Sequence, residues 1–410
     1  MKFRFPVVII DEDFRTENIS GSGARALALA IETEGMEVLG LTSYGDLTSF
    51  AQQAARASCF ILSIDDEEFG AGSAAEIDTA LEGLRAFVME VRKRNEEIPI
   101  FLYGETRTSR HIPNDVLREL HGFIHMNEDT PEFVARHIIR EAKVYLDSLA
   151  PPFFKALTHY ASDGSYSWHC PGHSGGVAFL KSPVGQMFHQ FFGENMLRAD
   201  VCNAVDELGQ LLDHTGPVAA SERNAARIFN ADHLFFVTNG TSTSNKIVWH
   251  STVAPGDIVI VDRNCHKSIL HAIMMTGAVP VFLMPTRNHY GIIGPIPKEE
   301  FDWKTIQKKI QNNPFITDKN AKPRVLTITQ STYDGVLYNV EMIKEMLDGK
   351  VDTLHFDEAW LPHATFHDFY KDMHAIGKDR PRSKESMVFS TQSTHKLLAG
   401  LSQASQILVQ

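Results

Sequence analysis

The sequence predicts an α/β protein built from two successive units, each with a parallel sheet. Three observations predict it. Five short apolar runs alternate with helical patterns over roughly the first third of the chain. A proline pair at Pro151 and Pro152 then interrupts it, and beyond that point longer strands and helices alternate again. Parallel strands need a crossover, usually a helix, so this alternation is the sequence signature of a doubly wound sheet.

Taken in order, "FPVVIID" reads as the first strand and the Ala/Leu-rich stretch after "SGSG" as the first helix. "EVLGLTS" and "CFILSID" follow as strands on either side of a helical "LTSFAQQAARA". The long helical pattern "AEIDTALEGLRAFVMEVRKRN" leads into the strand "IPIFLYG". "NDVLRELH", the strand "GFIHM" and the helix "PEFVARHIIREAKVYLDSL" complete the series. Residues 1–130 resemble a receiver/flavodoxin-like doubly wound domain, with Asp11, Glu12 and Asp13 after the first strand and Asp65 after the third. A working receiver needs a lysine after its fifth strand, and "GFIHMNED" supplies none. The domain is therefore expected to serve assembly, with Asp65 unphosphorylated. Residues 131–160 are expected as a helical linker, because "LAPPFFKAL" carries the Pro-Pro pair that ends a helix. Residues 161–410 form the larger domain. There "HLFFVTNG", "DIVIVDRN", "VPVFLMP", "RVLTITQ", "TLHFDEA" and "MVFSTQS" read as buried parallel strands.

Composition narrows the function. A formal charge of -12 argues against nucleic acid, whose phosphates require a basic surface. No apolar run approaches the roughly 20 residues of a membrane span, and the short apolar start is followed by acidic residues, unlike a signal peptide. Cys59, Cys170, Cys202 and Cys265 are scattered without paired zinc spacing or a disulfide framework, as expected of thiols in a cytoplasmic protein. His169 and His173 are four apart, but Pro171 and Gly172 between them favour a turn over a helix, so no metal is expected.

A polar cluster follows nearly every strand of the larger domain, at the edge where open α/β sheets bind ligands. "TNGTSTSNK" places Gly240, Thr241 and Ser242 where a strand gives way to a helix, an anion site by virtue of free N–H groups and hydroxyls. "DRNCHKS" places His266 after another strand, "HFDEAW" places Asp357 and Ala359, and "STQSTHK" places Lys396. Singly these read as a helix cap, a surface imidazole, a capping carboxylate and a solvated lysine. Together they meet the needs of pyridoxal phosphate: a phosphate cup, a flat group over the ring, an anion opposite the pyridine nitrogen and a lysine for the aldehyde.

The segment from about Ser167 to Gln410 resembles the bacterial inducible ornithine/lysine/arginine decarboxylases, through "WHCPGHSGG", "KSPVGQMFHQFFGEN", "LLDHTGP", "NGTSTSNK", "DRNCHKS", "STYDGVLYN", "HFDEAW" and "TQSTHK" in succession. The receiver-like first domain matches that family's N-terminal wing. The resemblance implies a PLP-dependent transferase-like (fold type I) large domain and decarboxylation of a basic L-amino acid to the corresponding amine and carbon dioxide. It also implies roles for particular residues. Lys396 would bind the cofactor covalently, with Ser393, His395, Thr241 and Ser242 around the phosphate. His266 would stack on one ring face, Ala359 would keep the other close, Asp357 would hold the ring nitrogen protonated, and Trp360 would pack alongside.

"VDELGQLLDHTGP" and "DRNCHKS" look more like lysine enzymes, whereas "HCPGH" and "RADVCNA" look more like arginine or ornithine ones; lysine is favoured. An aminotransferase of the same fold and a truncated, non-catalytic paralogue are the alternatives. Family members carry a few hundred further residues, so the chain is expected to be C-terminally truncated and the large domain incomplete. "SQILV" near the end is expected as a terminal strand that leaves an open edge and apolar surface. The full-length protein is expected to form a homodimer that assembles further, and the 410-residue form to be poorly active alone.

Overall fold

The apolar runs of the first third become strands in the computed structural model, which describes residues 5–19, 21–43, 56–64, 74–106, 112–126, 128–163, 170–202 and 205–410. Chain contacts divide into two units, Met1–Thr158 and His159–Gln410. In the first, β1 (Val7–Ile10), β2 (Val38–Leu41), β3 (Cys59–Ser63), β4 (Ile100–Gly104) and β5 (Gly122–His125) form one parallel sheet in the order β2-β1-β3-β4-β5. That is the strand order of flavodoxin-like folds.

Alternation along β1 sends Val7 and Ile9 to a core shared with helices Ser22–Thr33 and Pro131–Leu149. Val8 and Ile10 meet Leu84, Phe87, Val88 and Val91 of helix Ala74–Arg94 on the opposite face. The helix Pro131–Leu149 starts where Thr130 accepts from the Phe133 N–H and Pro131 occupies the first turn. Its buried Val134, Ala135, Ile138, Ile139 and Ala142 form one apolar stripe packed into this unit. The stretch expected as a linker thus contributes core to the first unit, and the division falls between Thr158 and His159. Asp11 is buried, and its Oδ1 accepts from the Asp13 N–H at 3.0 Å. Asp65 lies outside the described residues, as does most of the "LTSFAQQAARA" segment.

The second unit holds β6 (His233–Val237), β7 (Ile258–Asp262), β8 (Val279–Leu283), β9 (Val325–Thr329), β10 (Thr353–Asp357), β11 (Met387–Gln392) and β12 (Ser405–Val409). Their order is β6-β12-β11-β10-β9-β7-β8, with β12 antiparallel to both of its neighbours. The expectation of an open edge at "SQILV" is therefore overturned. β12 lies inside the sheet, bonded on both sides, and four of its five residues are buried. The edge belongs to β6, where Leu234 alone is fully buried, so this strand is not the two-faced buried one its composition suggests.

Leu354 and Phe356 of β10 face a core shared with Ile306 and Ile310 of helix Trp303–Asn312 and with Ile343 and Leu347 of helix Val340–Leu347. On the other face Val259, Val261 and Val325 pack against Trp249 of helix Thr241–Thr252 and Ile269 of helix Lys267–Thr276. Period-two alternation therefore aims His355 and Asp357 toward the helix that begins at Thr241.

Candidate active site

Thr241 and Ser393 are 152 positions apart in sequence, yet their hydroxyls meet at 2.6 Å and both are buried. Thr241 opens its helix without a side-chain cap, behind Gly240 at φ 77°. A Cβ on Gly240 would come within 2.8 Å of the Gln403 amide, so this approach requires glycine. Uncapped helix N–H groups beside two hydroxyls favour an anion. Ser242, the next residue, is exposed.

Asp357 ends β10 with 3% exposure. Its Oδ2 accepts from Asn245 Nδ2 at 2.9 Å and its Oδ1 from the Ala359 N–H at 3.2 Å. Burial raises its pKa above the ordinary carboxylate range, opposed by those two hydrogen bonds and by the nearby His266 and Lys396. Burial wins, so the charged form lacks part of the stabilisation it had in water. Asp262, at the end of β7, is pushed up to about 6 by burial, and the nearby Asp357 charge adds to the effect.

Lys396 sits in the short helix Thr394–Leu397 directly after β11, with its Nζ 5.3 Å from the centre of the Trp360 ring. Trp360 also meets Tyr333 edge-on at 5.3 Å, and its buried Nε1 has no hydrogen-bond partner among the described residues. His266 caps helix Lys267–Thr276, its Nδ1 accepting from the Ser268 N–H at 3.2 Å. His395 Nδ1 contacts the Ala404 carbonyl at 2.7 Å, so this nitrogen braces the turn into β12 and only Nε2 is left for a ligand. A Cβ on Gly400 would lie 3.0 Å from the His395 Cα, which explains a glycine in that turn.

The structure thus brings Thr241 and Ser393 into contact, sets Lys396 against Trp360, and places Asp357 within the influence of Lys396 and His266. Of the two histidines in "WHCPGHSGG", His169 lies outside the described residues. His173 contacts Asp200 at 3.0 Å and accepts from the Gly176 N–H, in a stretch that turns rather than forming a helix.

Asn245 and Glu358 lie inside the quoted motifs without being singled out by them, and Lys344 lies in none. Asn245 holds Asp357. Glu358, fully buried, accepts from Ser390 Oγ at 2.5 Å, from the Ala375 N–H at 2.6 Å and from Gln392 Nε2 at 3.0 Å. Lys344 is buried on the same side, donating to the Ala375 and Pro381 carbonyls, and burial pushes its pKa down to about 8. Glu358 and Lys344 brace the sheet face opposite Asp357.

A mostly parallel sheet with one antiparallel strand, and polar residues gathered at its C-terminal edge, define the large domain of fold type I enzymes behind a flavodoxin-like first domain. The chain belongs to the Orn/Lys/Arg decarboxylase family: the family's major domain matches residues 151–410 and its N-terminal domain residues 19–145. Lysine decarboxylase LdcA of Pseudomonas aeruginosa is 47% identical over 99% of the chain, and the biodegradative arginine decarboxylase of Escherichia coli is 38% identical over 98%. A solved structure of lysine decarboxylase A from Pseudomonas aeruginosa covers 100% of the chain with a TM-score of 0.86 at 46% identity. The chain spans about half the length of these relatives: 54% and 53% of the two sequences and 54% of the solved chain.

Proposed function

We propose that the protein is a pyridoxal-phosphate-dependent decarboxylase of a basic L-amino acid, with lysine the favoured substrate. The observation that carries the reading is the convergence on one sheet edge of a buried carboxylate, an uncapped helix start with two bonded hydroxyls, and a half-buried lysine beside an indole. The residues fit the cofactor. Asp357 is short of a cationic partner, which a protonated ring nitrogen would be, and the Thr241 helix start suits a phosphate. When bound, pyridoxal phosphate would supply the electron sink for the pair released as the α-carboxylate departs as carbon dioxide.

The chain's own residues would do the rest. Asp357, as the anion, would hold a proton on the ring nitrogen. Thr241, Ser242 and Ser393 would bind the phosphate, with His395 Nε2 as a further donor. Lys396 would hold the cofactor covalently, with Trp360 alongside and His266 and Ala359 on its two faces. Preference for lysine is supported by the higher identity to a lysine decarboxylase than to the arginine enzyme. The exposed Val184, Met187 and Phe191 of helix Pro183–Phe192 support self-association, as a homodimer or larger assembly.

Borohydride reduction of the protein loaded with pyridoxal phosphate should leave the adduct on the peptide containing Lys396. An adduct on Lys246 or Lys267 instead would overturn the assignment. Carbon dioxide release from lysine, arginine and ornithine, measured side by side, ranks the substrates.

A further inference from the structure

The hydrogen bonds behind Asp357 give every proton an acceptor when they run in one direction. Trp249 can only donate, and its Nε1–H meets Thr327 Oγ1 at 3.1 Å. The Thr327 hydroxyl has no other acceptor for its proton among the described residues, so that proton is directed at His355 Nδ1, also 3.1 Å away. His355 is wholly buried, and burial drives its pKa down to about 3, so the ring is neutral. With Nδ1 accepting, Nε2 carries the proton and donates to Thr391 Oγ1 at 3.0 Å. Thr391 in turn donates to Asn245 Oδ1 at 2.7 Å. That leaves both amide protons of Asn245 for Asp357 Oδ2 and Ser268 Oγ, each at 2.9 Å.

Strand register makes this path possible. Thr327 pairs with His355, and Thr391 with Asp357, so three adjacent strands carry the polar groups side by side beneath one helix. If the Asn245 amide were reversed, its oxygen would face the carboxylate, a repulsive contact inside a buried site, and the Thr391 proton would lose its acceptor.

We propose that this relay, begun by Trp249, locks the Asn245 amide with its N–H toward Asp357, making Asn245 and Thr391 positioning residues for the carboxylate that faces the cofactor. The inference rests on the cofactor reading above. Three other titratable groups face Asp357: His266 from the start of its helix, Lys396 from beyond β11, and Asp262 from the end of β7. None of them supplies a hydrogen bond to Asp357, whereas Asn245 does.

The test compares the parent chain with Thr391→Val, which keeps the shape but loses the hydroxyl, with Thr391→Ser, which keeps the hydroxyl, and with Asn245→Asp. Borohydride labelling of the parent at Lys396 comes first. Affinity for pyridoxal phosphate is then titrated, and the absorbance of the bound cofactor is followed against pH. Thr391→Val and Asn245→Asp should each bind about tenfold more weakly, the size expected for one lost hydrogen bond to a charged group. Their ring-nitrogen transition should move to lower pH, because a less readily ionised Asp357 holds that proton less well. Thr391→Ser should match the parent.

Parent-like affinity and pH profile in Thr391→Val would overturn the relay while leaving the cofactor reading intact. If indole emission shows that Thr391→Val does not fold, Asn245→Asp decides, since it replaces the donor with a second acceptor of the same size. A parent that takes no label at Lys396 would remove the cofactor reading and this inference together.

Discussion

Asp262→Asn is the most direct probe of what burial costs at the sheet edge. Asp262 is 2% exposed; its Oδ2 accepts from the Thr329 N–H at 2.6 Å, and its Oδ1 has no partner among the described residues. Burial raises its pKa from 3.8 to about 6, a difference of about two pH units, each worth about 1.4 kcal/mol. The sign follows from linkage. A raised folded-state pKa means that the folded protein binds the proton more tightly than the unfolded chain. The stabilisation is therefore complete below about pH 4 and lost as pH rises through about 6. At neutral pH the parent has given up about 3 kcal/mol that Asp262→Asn, which cannot ionise, never loses. All four tryptophans lie in the second unit, so indole fluorescence during denaturant unfolding reports on that unit. The stability of the parent minus that of the variant should fall by about 3 kcal/mol between about pH 4 and pH 7. Subtracting the two curves removes every group they share. A difference that stays flat across that window would refute the argument that burial dominates at Asp262.

Asp357→Asn should preserve the fold but weaken pyridoxal phosphate binding and lower turnover by orders of magnitude; tight binding with near-normal turnover would count against its proposed role. Glu358→Ala strands three buried donors and should destabilise the second unit by about 3 kcal/mol or more, read by the same fluorescence assay. Gly240→Ala forces a side chain into a glycine-only backbone region and against Gln403, costing about 1–3 kcal/mol and loosening phosphate binding measured with inorganic phosphate as competitor.

Much of this architecture was legible because the strands are short, branched and apolar, and because their ends are marked by polar clusters. The Gly240–Ser244 segment was read correctly as the opening of a helix, since a glycine followed by hydroxyl residues suits a helix start. The position of β12 was not legible. Periodicity identifies "SQILV" as a strand but says nothing about its partners, and pairing with both β11 and β6 is a long-range outcome. The linker was misplaced for a related reason: the stripe from Val134 to Ala142 shows that a helix has a buried face but not which unit buries it. Asn245 and His355 escaped notice because their significance lies in contacts across elements, such as the 112 positions from Asn245 to Asp357. The phosphate role expected of His395 is narrowed by its tie to Ala404, a contact no motif announces.

The placement of β12 has a kinetic consequence. Among the described residues β6 joins the sheet through β12 alone, and Val237 bonds to Ser405, which follows it by 168 residues. At a synthesis rate of about 5–20 residues per second, β6 waits roughly ten to thirty seconds for its partner. Through that interval the backbone of β6 has no neighbouring strand, and Leu234 and Phe236 lack the cover that β12 gives. The loop closed by this pairing is long, so its entropy must be met before the contact gives anything back. Because β6 leads directly into Gly240 and Thr241, the anion-binding end of the site cannot be set in place until residues 405–409 have been made. A nascent chain would therefore acquire its ligand site only after the central strands have already formed.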